Sequence, residues 1–257
     1  RCGPLRRPHP VALTPEPLAS MGMDMLRGAE IAQARLDDWR KLAQGLHARY
    51  LVPDFAAAAR LVVAVGEAGD ALGHHPRVRI GEGYVDLEVV SDDAIYRADD
   101  GTELVIEWVT EQDVALAREI SRLASQHGLA ADPAAVTEIE LGLDTSTSAT
   151  VAPFWAVLLT SDPASQGHGT PGDEIRDPTV RVPNLWFGDL EEGTADEARF
   201  HVEVYVAPEQ VAGRVAAALA AGGTVVDDSD APGLTVLADP DGNRGVLCSD
   251  TSAVPTD

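Results

Sequence analysis

Between Phe55 and Leu72 apolar residues recur at Phe55, Ala58, Ala59, Val62, Val63, Val65 and Leu72, and a spacing near 3.6 predicts a helix with a broad apolar face. Pro53 opens it, and Gly73 with Pro76 ends it. The flanking runs alternate instead. Leu46, Ala48, Tyr50 and Val52 oppose His47 and Arg49, while Val85, Leu87 and Val89 oppose charged neighbours, so 46–52 and 84–90 read as strands with one buried face. A shorter strand is expected at 78–80. A first helix is expected over 26–39, through Leu26, Ala29, Ile31, Ala34 and Leu36. Two β-rich runs, 94–97 and 103–108, flank the step Asp100-Gly101, a hairpin signal. Thr110-x-x-Asp113 is a capping box that opens a further helix, with Ala115, Leu116, Ile120 and Leu123 as its expected buried stripe and Gly128 as its end.

Beyond a short Ala-Asp-Pro-Ala linker the pattern repeats itself. A strand at 138–143, a helix at 148–159 and a stretch ending in Asn184–Phe187 are followed by a strand at 200–206 and a helix from Pro208 to Gly222-Gly223. Short strands at 224–226, 235–238 and 245–248 complete it. Two units of similar size suggest an internal duplication. The expected division is therefore a first domain over 21–129, a linker over 130–136 and a second domain over 137–250, which suits 257 residues. Residues 1–20, with five prolines, three arginines and no periodicity, read as a disordered extension, with Met21, Met23 or Met25 as a plausible start, and 251–257 as a tail.

Charge narrows the partners. Forty-two acids against nineteen bases give a net charge of −23, which repels nucleic acid and anionic membrane. No nucleic-acid or membrane partner is expected. Cys2 and Cys248 lie almost a chain length apart with no metal or redox spacing, and are read as free thiols in a reducing cytoplasm. No run has transmembrane length, so the protein is expected to be cytoplasmic.

The candidate chemistry sits at the end of the long helix, in Asp70-Ala-Leu-Gly73-His74-His75-Pro76. Asp70 and His74 are spaced i,i+4, which brings a carboxylate and an imidazole together on a helix face. Adjacent imidazoles, one oriented by a carboxylate, suit proton transfer to and from a heterocycle. Two surface histidines at a solvated helix end fit the same spacing.

Trp39, the helix start Pro53-Asp54-Phe55, the Asp70-x-x-x-His74-His75-Pro76 motif, the strand Val85 to Ser91, and Val109-Thr110-Glu-Gln-Asp113-Val-Ala-Leu-Ala117 occur in that order. Over about a hundred residues the region resembles a pterin-4a-carbinolamine dehydratase. That resemblance implies an antiparallel sheet with helices on one face, a pterin-like substrate, possible homodimers, no cofactor, and a histidine pair at His74 and His75 with Asp70 as the acid before it. A third histidine is expected where this chain has Asp92, after Ser91. A carboxylate accepts a proton at neutral pH but hardly donates one. The resemblance also places Asp113 near the substrate, with Trp108 as a second substrate-binding candidate. The N3 capping position is by itself a sufficient reason for an acid at Asp113, and is the reading preferred here. The inserted hairpin 93–108 begins just after Asp92, where it can cover or reshape the pocket.

Ala152-Pro-Phe-Trp155, Leu185-Trp-Phe187, Arg199-Phe-His201-Val-Glu-Val and Leu237-Ala-Asp239-Pro-Asp-Gly-Asn243 resemble a glyoxalase-like domain of the vicinal oxygen chelate superfamily, over about 137–249. The resemblance implies a βαβββ-duplicated cup. Metal enzymes of that superfamily place ligands on four strands, but only His201 survives. Thr137, Gly188 and Val246 stand at or near the other positions, so no metal is expected. His168 carries no assignment, and the cup's ligand is unknown.

The sequence thus points to an α+β protein with two function hypotheses. One is a hydro-lyase acting on 4a-hydroxytetrahydropterins, with His75 as principal acid or base, His74 supporting it and Asp70 orienting His74. The other is a binding or regulatory protein that keeps both folds without the chemistry.

Overall fold

The computed structural model describes residues 23–98, 100–166, 174–177, 179–188 and 199–252. The expected N-terminal extension, His168 and residues 253–257 of the tail lie outside them.

The first half is built on a four-stranded antiparallel sheet in the order β1-β2-β4-β3, comprising β1 (Arg40–Leu42), β2 (Gly45–Leu51), β3 (Arg77–Gly81) and β4 (Tyr84–Val89). Alternation sets its faces as expected. Val85, Leu87 and Val89 are buried with Leu46, Ala48 and Tyr50 under α2 (Phe55–Leu72) and α3 (Glu111–Gln126). The first helix is shorter than expected, α1 being Gly28–Gln33. Arg35 has φ of 50°, a left-handed conformation that ends a helix, and the chain then enters β1, which the sequence pattern missed.

Two expected helix stripes need correction. On α2 the buried residues are Ala57, Ala58, Leu61, Val65 and Gly69, whereas Phe55, Val63 and Leu72 are exposed. An Ala/Val-rich helix is apolar nearly all round, so its periodicity does not reveal which side packs. On α3 Ala115 is exposed and the stripe runs through Val114, Leu116, Ala117, Ile120 and Ala124.

The hairpin forms, as β5 (Ser91–Arg97) against β6 (Glu103–Trp108), with a bulge between Ser91 and Ala94. It starts earlier than the β-rich pattern indicated, so Asp92 and Asp93 lie within the bulge. Its outer strand is flanked by the Met23–Leu26 segment, with Met25 N donating to Ile95 O at 3.0 Å and Leu26 N to Val109 O at 2.8 Å.

The passage after α3 is pinned rather than open. Leu51 N donates to Ala130 O at 2.9 Å and Asp132 N to Arg49 O at 2.8 Å.

The second half has a seven-stranded sheet, β11-β12-β13-β10-β7-β9-β8. Its first unit is β7 (Thr137–Asp144), α4 (Ser148–Thr160), β8 (Glu174–Ile175) and β9 (Leu185–Gly188). The second is β10 (Phe200–Val206), α5 (Val211–Ala220), β11 (Thr224–Asp227), β12 (Leu234–Ala238) and β13 (Arg244–Cys248). In each unit the first strand pairs in parallel with the last, and β7 and β10 join antiparallel at the centre. The expected duplication is therefore present, with two described strands after the helix in the first unit and three in the second. Leu141, Leu143, Leu185 and Phe187 pack under α4, and Val204, Val206 and Leu247 under α5, so the opposite face of the sheet is the polar one.

That polar face meets the polar face of the first sheet. Arg77 bonds Glu88 (2.9 Å) and Glu107 (2.9 Å), Glu107 bonds Arg176 of the second half (2.5 Å), and Arg40 of β1 bonds Glu209 (2.6 Å). Side chains that alternation alone assigns to solvent are thus enclosed between the halves.

Candidate active site

Helix α2 ends where its backbone turns left-handed. Gly73 has φ of 66°, and its N–H and that of His74 both return to Gly69 O, the latter at 3.1 Å, a closure that glycine favours at this position. This break separates the two histidines. His75 folds back over the helix, where a Cβ on Gly69 would lie 2.7 Å from its ring, and its Nε2 is 2.9 Å from Asp70 Oδ1. His74 turns inward, and its Nε2 is 2.6 Å from Asp113 Oδ1.

The expected pairing of Asp70 with His74 is corrected by this geometry. An i,i+4 contact requires the helix to continue through both residues, and Gly73 stops it one residue short. Asp70 instead meets His75.

Asp113 is fully buried and serves two purposes. Its Oδ2 accepts from Thr110 N (2.7 Å), Thr110 Oγ1 (2.9 Å) and Ser91 Oγ (2.8 Å), closing the capping box, while Oδ1 faces His74. The capping role preferred from the sequence is present, and contact with the histidine pair comes with it. The hydrogen bond to Asp113 holds the His74 pKa above its ordinary 6.5 despite partial burial, and the charges of Asp113, Asp93 and Asp92 add to the effect. His74 therefore keeps its proton to higher pH than a free imidazole.

Asp92 is exposed in the β5 bulge. Its influence on His74 places it in the same electrostatic field, though no hydrogen bond joins them among the described residues. Trp108 is engaged elsewhere. Its Nε1 donates to Leu26 O at 2.9 Å, Lys41 Nζ sits 3.9 Å from the ring centroid, and the ring packs against the core of the first half. Ser91 is the participant that the residue pattern did not single out. Only its place opposite the Thr110 box in the fold reveals it.

In the second half, His201 lies over Gly142, where a Cβ would be 2.3 Å from its Nε2, and meets the Trp186 ring edge-on. Glu203 accepts from Tyr205 OH (2.7 Å) and Trp186 Nε1 (3.2 Å), and lies 3.8 Å from His201 Nε2. Its proximity raises the His201 pKa. Thr137 Oγ1 accepts from Arg214 (2.7 Å). Among the described residues no group of three or more His, Cys, Asp or Glu side chains is arranged to hold a metal ion.

Comparison with known proteins finds two family matches, one in each half. Residues 24–123 match the family model of pterin 4 alpha carbinolamine dehydratase, and residues 140–248 match that of a glyoxalase-like domain. The chain thus carries one domain of each kind, as the residue motifs indicated. Among solved structures, a transcriptional coactivator/pterin dehydratase from Brucella melitensis is similar at 23% identity, over 39% of this chain and 99% of its own, with a TM-score of 0.32. No curated protein matches. Among the described residues no helix is long and apolar enough to cross a membrane.

Proposed function

We propose that the first domain is a hydro-lyase that removes water from a 4a-hydroxytetrahydropterin. The observation that carries this reading is the pair of imidazoles at the end of α2, each held by its own carboxylate, His75 by Asp70 and His74 by Asp113. In the elimination the carbon–oxygen bond breaks, the departing hydroxyl takes a proton and leaves as water. A ring nitrogen gives up its proton as the carbon–nitrogen double bond forms. One group must donate and another must accept.

His75, exposed at the helix end, is assigned the proton transfer, with Asp70 fixing its ring. His74, whose proton Asp113 helps to hold, presents a donor beside it and supports the negative charge that develops on the departing oxygen. Asp92 is assigned to the rim of the same pocket, where it accepts a proton or a substrate N–H. The reaction requires no cofactor. A homodimer is part of the same proposal, and the exposed Phe55 and Val63 on α2 support it.

The test is a coupled assay with enzymatically generated 4a-hydroxytetrahydropterin. Acceleration over spontaneous dehydration, lost by a factor of about 10² or more in His75→Ala, is expected. A wild-type rate equal to the spontaneous one would refute the assignment.

A second reading has a specific observation in its favour, since an aspartate stands where the resemblance calls for a third imidazole. Under it the domain binds a pterin-like molecule without turning it over, and the same assay separates the two: binding without acceleration identifies the binding protein.

A further inference from the structure

The polar faces of the two sheets line a half-open cavity of about 630 Å³ to which both halves contribute, within the size range of small-molecule sites. Part of its charge is closed upon itself. Arg49 pairs with Asp86 through two bonds of 2.6 Å, Arg77 with Glu88 and Glu107, and Arg176 with Glu107 and Glu174. What the cavity lacks is not charge.

Two of the lining residues, one from each half, carry a buried atom with no hydrogen-bond partner among the described residues: His47 Nε2 and Asn184 Oδ1. Both are acceptors. A bond to the Leu42 backbone occupies the other ring nitrogen of His47, and burial, with the Lys41 charge next, pushes its pKa down to about 3, so the ring is neutral with a free lone pair at Nε2. The Asn184 amide is oriented by its neighbours. Its Nδ2 donates to Glu140 Oε1 (2.9 Å) and Glu174 Oε2 (3.1 Å), and a flipped amide would set its oxygen against two carboxylates. Its oxygen is therefore left unpaired among the described residues. A buried acceptor left without a donor carries a desolvation cost that a matching donor removes.

We propose that this cleft is a binding site, formed only by the two domains together, for a small molecule with at least two N–H or O–H donors. The donors follow from the two unpaired acceptors. The site is separate from the histidine pair and does not rest on the dehydratase reading.

Two donor-bearing sources are distinguished by calorimetric titration of the full chain. One probe is 2-amino-4-oxopteridine, with an amino and amide donor edge, titrated into His74→Ala so that the histidine-pair site does not contribute. The other is myo-inositol, a polyol. One of the two is expected to bind with a Kd below about 1 mM and to weaken by about tenfold in His47→Leu and in Asn184→Leu. Should either variant fail to fold by circular dichroism, Val182→Trp, which fills the cavity from its exposed rim, is expected to abolish the same binding. Binding of neither probe, or binding indifferent to all three changes, would mean that the cleft holds ordered water only, and would overturn the proposal. Failure of the dehydratase reading shows instead as absent turnover, with cleft binding intact.

Discussion

At the scale of single residues, the site depends on which carboxylate each histidine meets. Asp113 is the more consequential, because it is fully buried and bonded on both oxygens. Asp113→Asn keeps an acceptor for the cap but removes the charge that holds the His74 proton. The His74 pKa, followed by NMR titration, is expected to fall toward its ordinary value, and stability to drop by about 2 kcal/mol. The sign with pH follows from the raised pKa. His74 contributes stability that is fully present below pH 6.5 and is lost as pH rises through the raised value, and this dependence should vanish in the variant. An unchanged His74 titration would show that Asp113 only caps the helix. Asp92→His makes the complementary point. If the site is a dehydratase short of one imidazole, the rate should rise, since general acid–base groups typically contribute ~10²- to 10⁴-fold. Loss of pterin binding with no gain in rate would favour the binding protein.

At the scale of elements, the end of α2 is a device for splitting two adjacent side chains. Gly73 ends the helix, and Gly69 leaves the hollow into which the His75 ring folds. Gly69→Ala tests this directly. Alanine favours the helix by about 1 kcal/mol, but its Cβ would stand 2.7 Å from the His75 ring and 3.0 Å from the His74 carbonyl oxygen. The expected result is a melting temperature close to wild type with a dehydration rate reduced about tenfold. A wild-type rate would mean that the position of His75 over the helix is irrelevant to turnover. The hairpin, expected as a possible cover for the pocket, acts on it through its base: the β5 bulge brings Asp92 and Asp93 into the field of His74, while Glu107 on β6 reaches Arg77 and Arg176.

At the scale of the whole molecule, the contact between the halves determines the pH response. His47, with its pKa pushed to about 3, resists protonation in the folded chain, whereas an unfolded histidine takes up a proton near 6.5. Stability therefore falls as pH drops from about 6.5 toward 3. Glu88 works in the opposite sense. Burial outweighs the Arg77 pairing and raises its pKa to about 7, so stability falls as pH rises from about 4.5 through 7. Glu107, equally enclosed, is held low because Arg77 and Arg176 together overcome its burial. Urea unfolding across this range should lose part of its acid limb in His47→Leu and its decline toward neutrality in Glu88→Gln. Identical profiles for wild type and both variants would show that the cleft is solvated in solution.

The sequence by itself determined the local order and the kinds of residue. Period-two runs fixed β2 and β4 with their buried faces, Thr110-x-x-Asp113 fixed the start of α3, Gly73 and Pro76 fixed the end of α2, and the repeated pattern after 137 fixed the duplicated sheet. The motifs around the histidine pair and in the second half also carried their families. Helix periodicity could not choose a packed side on α2, because an Ala/Val-rich helix offers apolar surface in several directions. Nor could spacing choose the partner of His74, since that depends on where the chain goes after Gly73 and on Asp113, thirty-nine residues away. Alternation marks His47, Arg49, Asp86 and Glu88 as the polar side of a sheet, which in an isolated domain faces water. Only the tertiary structure lays a second polar sheet over them, and the loss of solvent there shifts the protonation of His47 and Glu88 and leaves His47 Nε2 without a partner among the described residues.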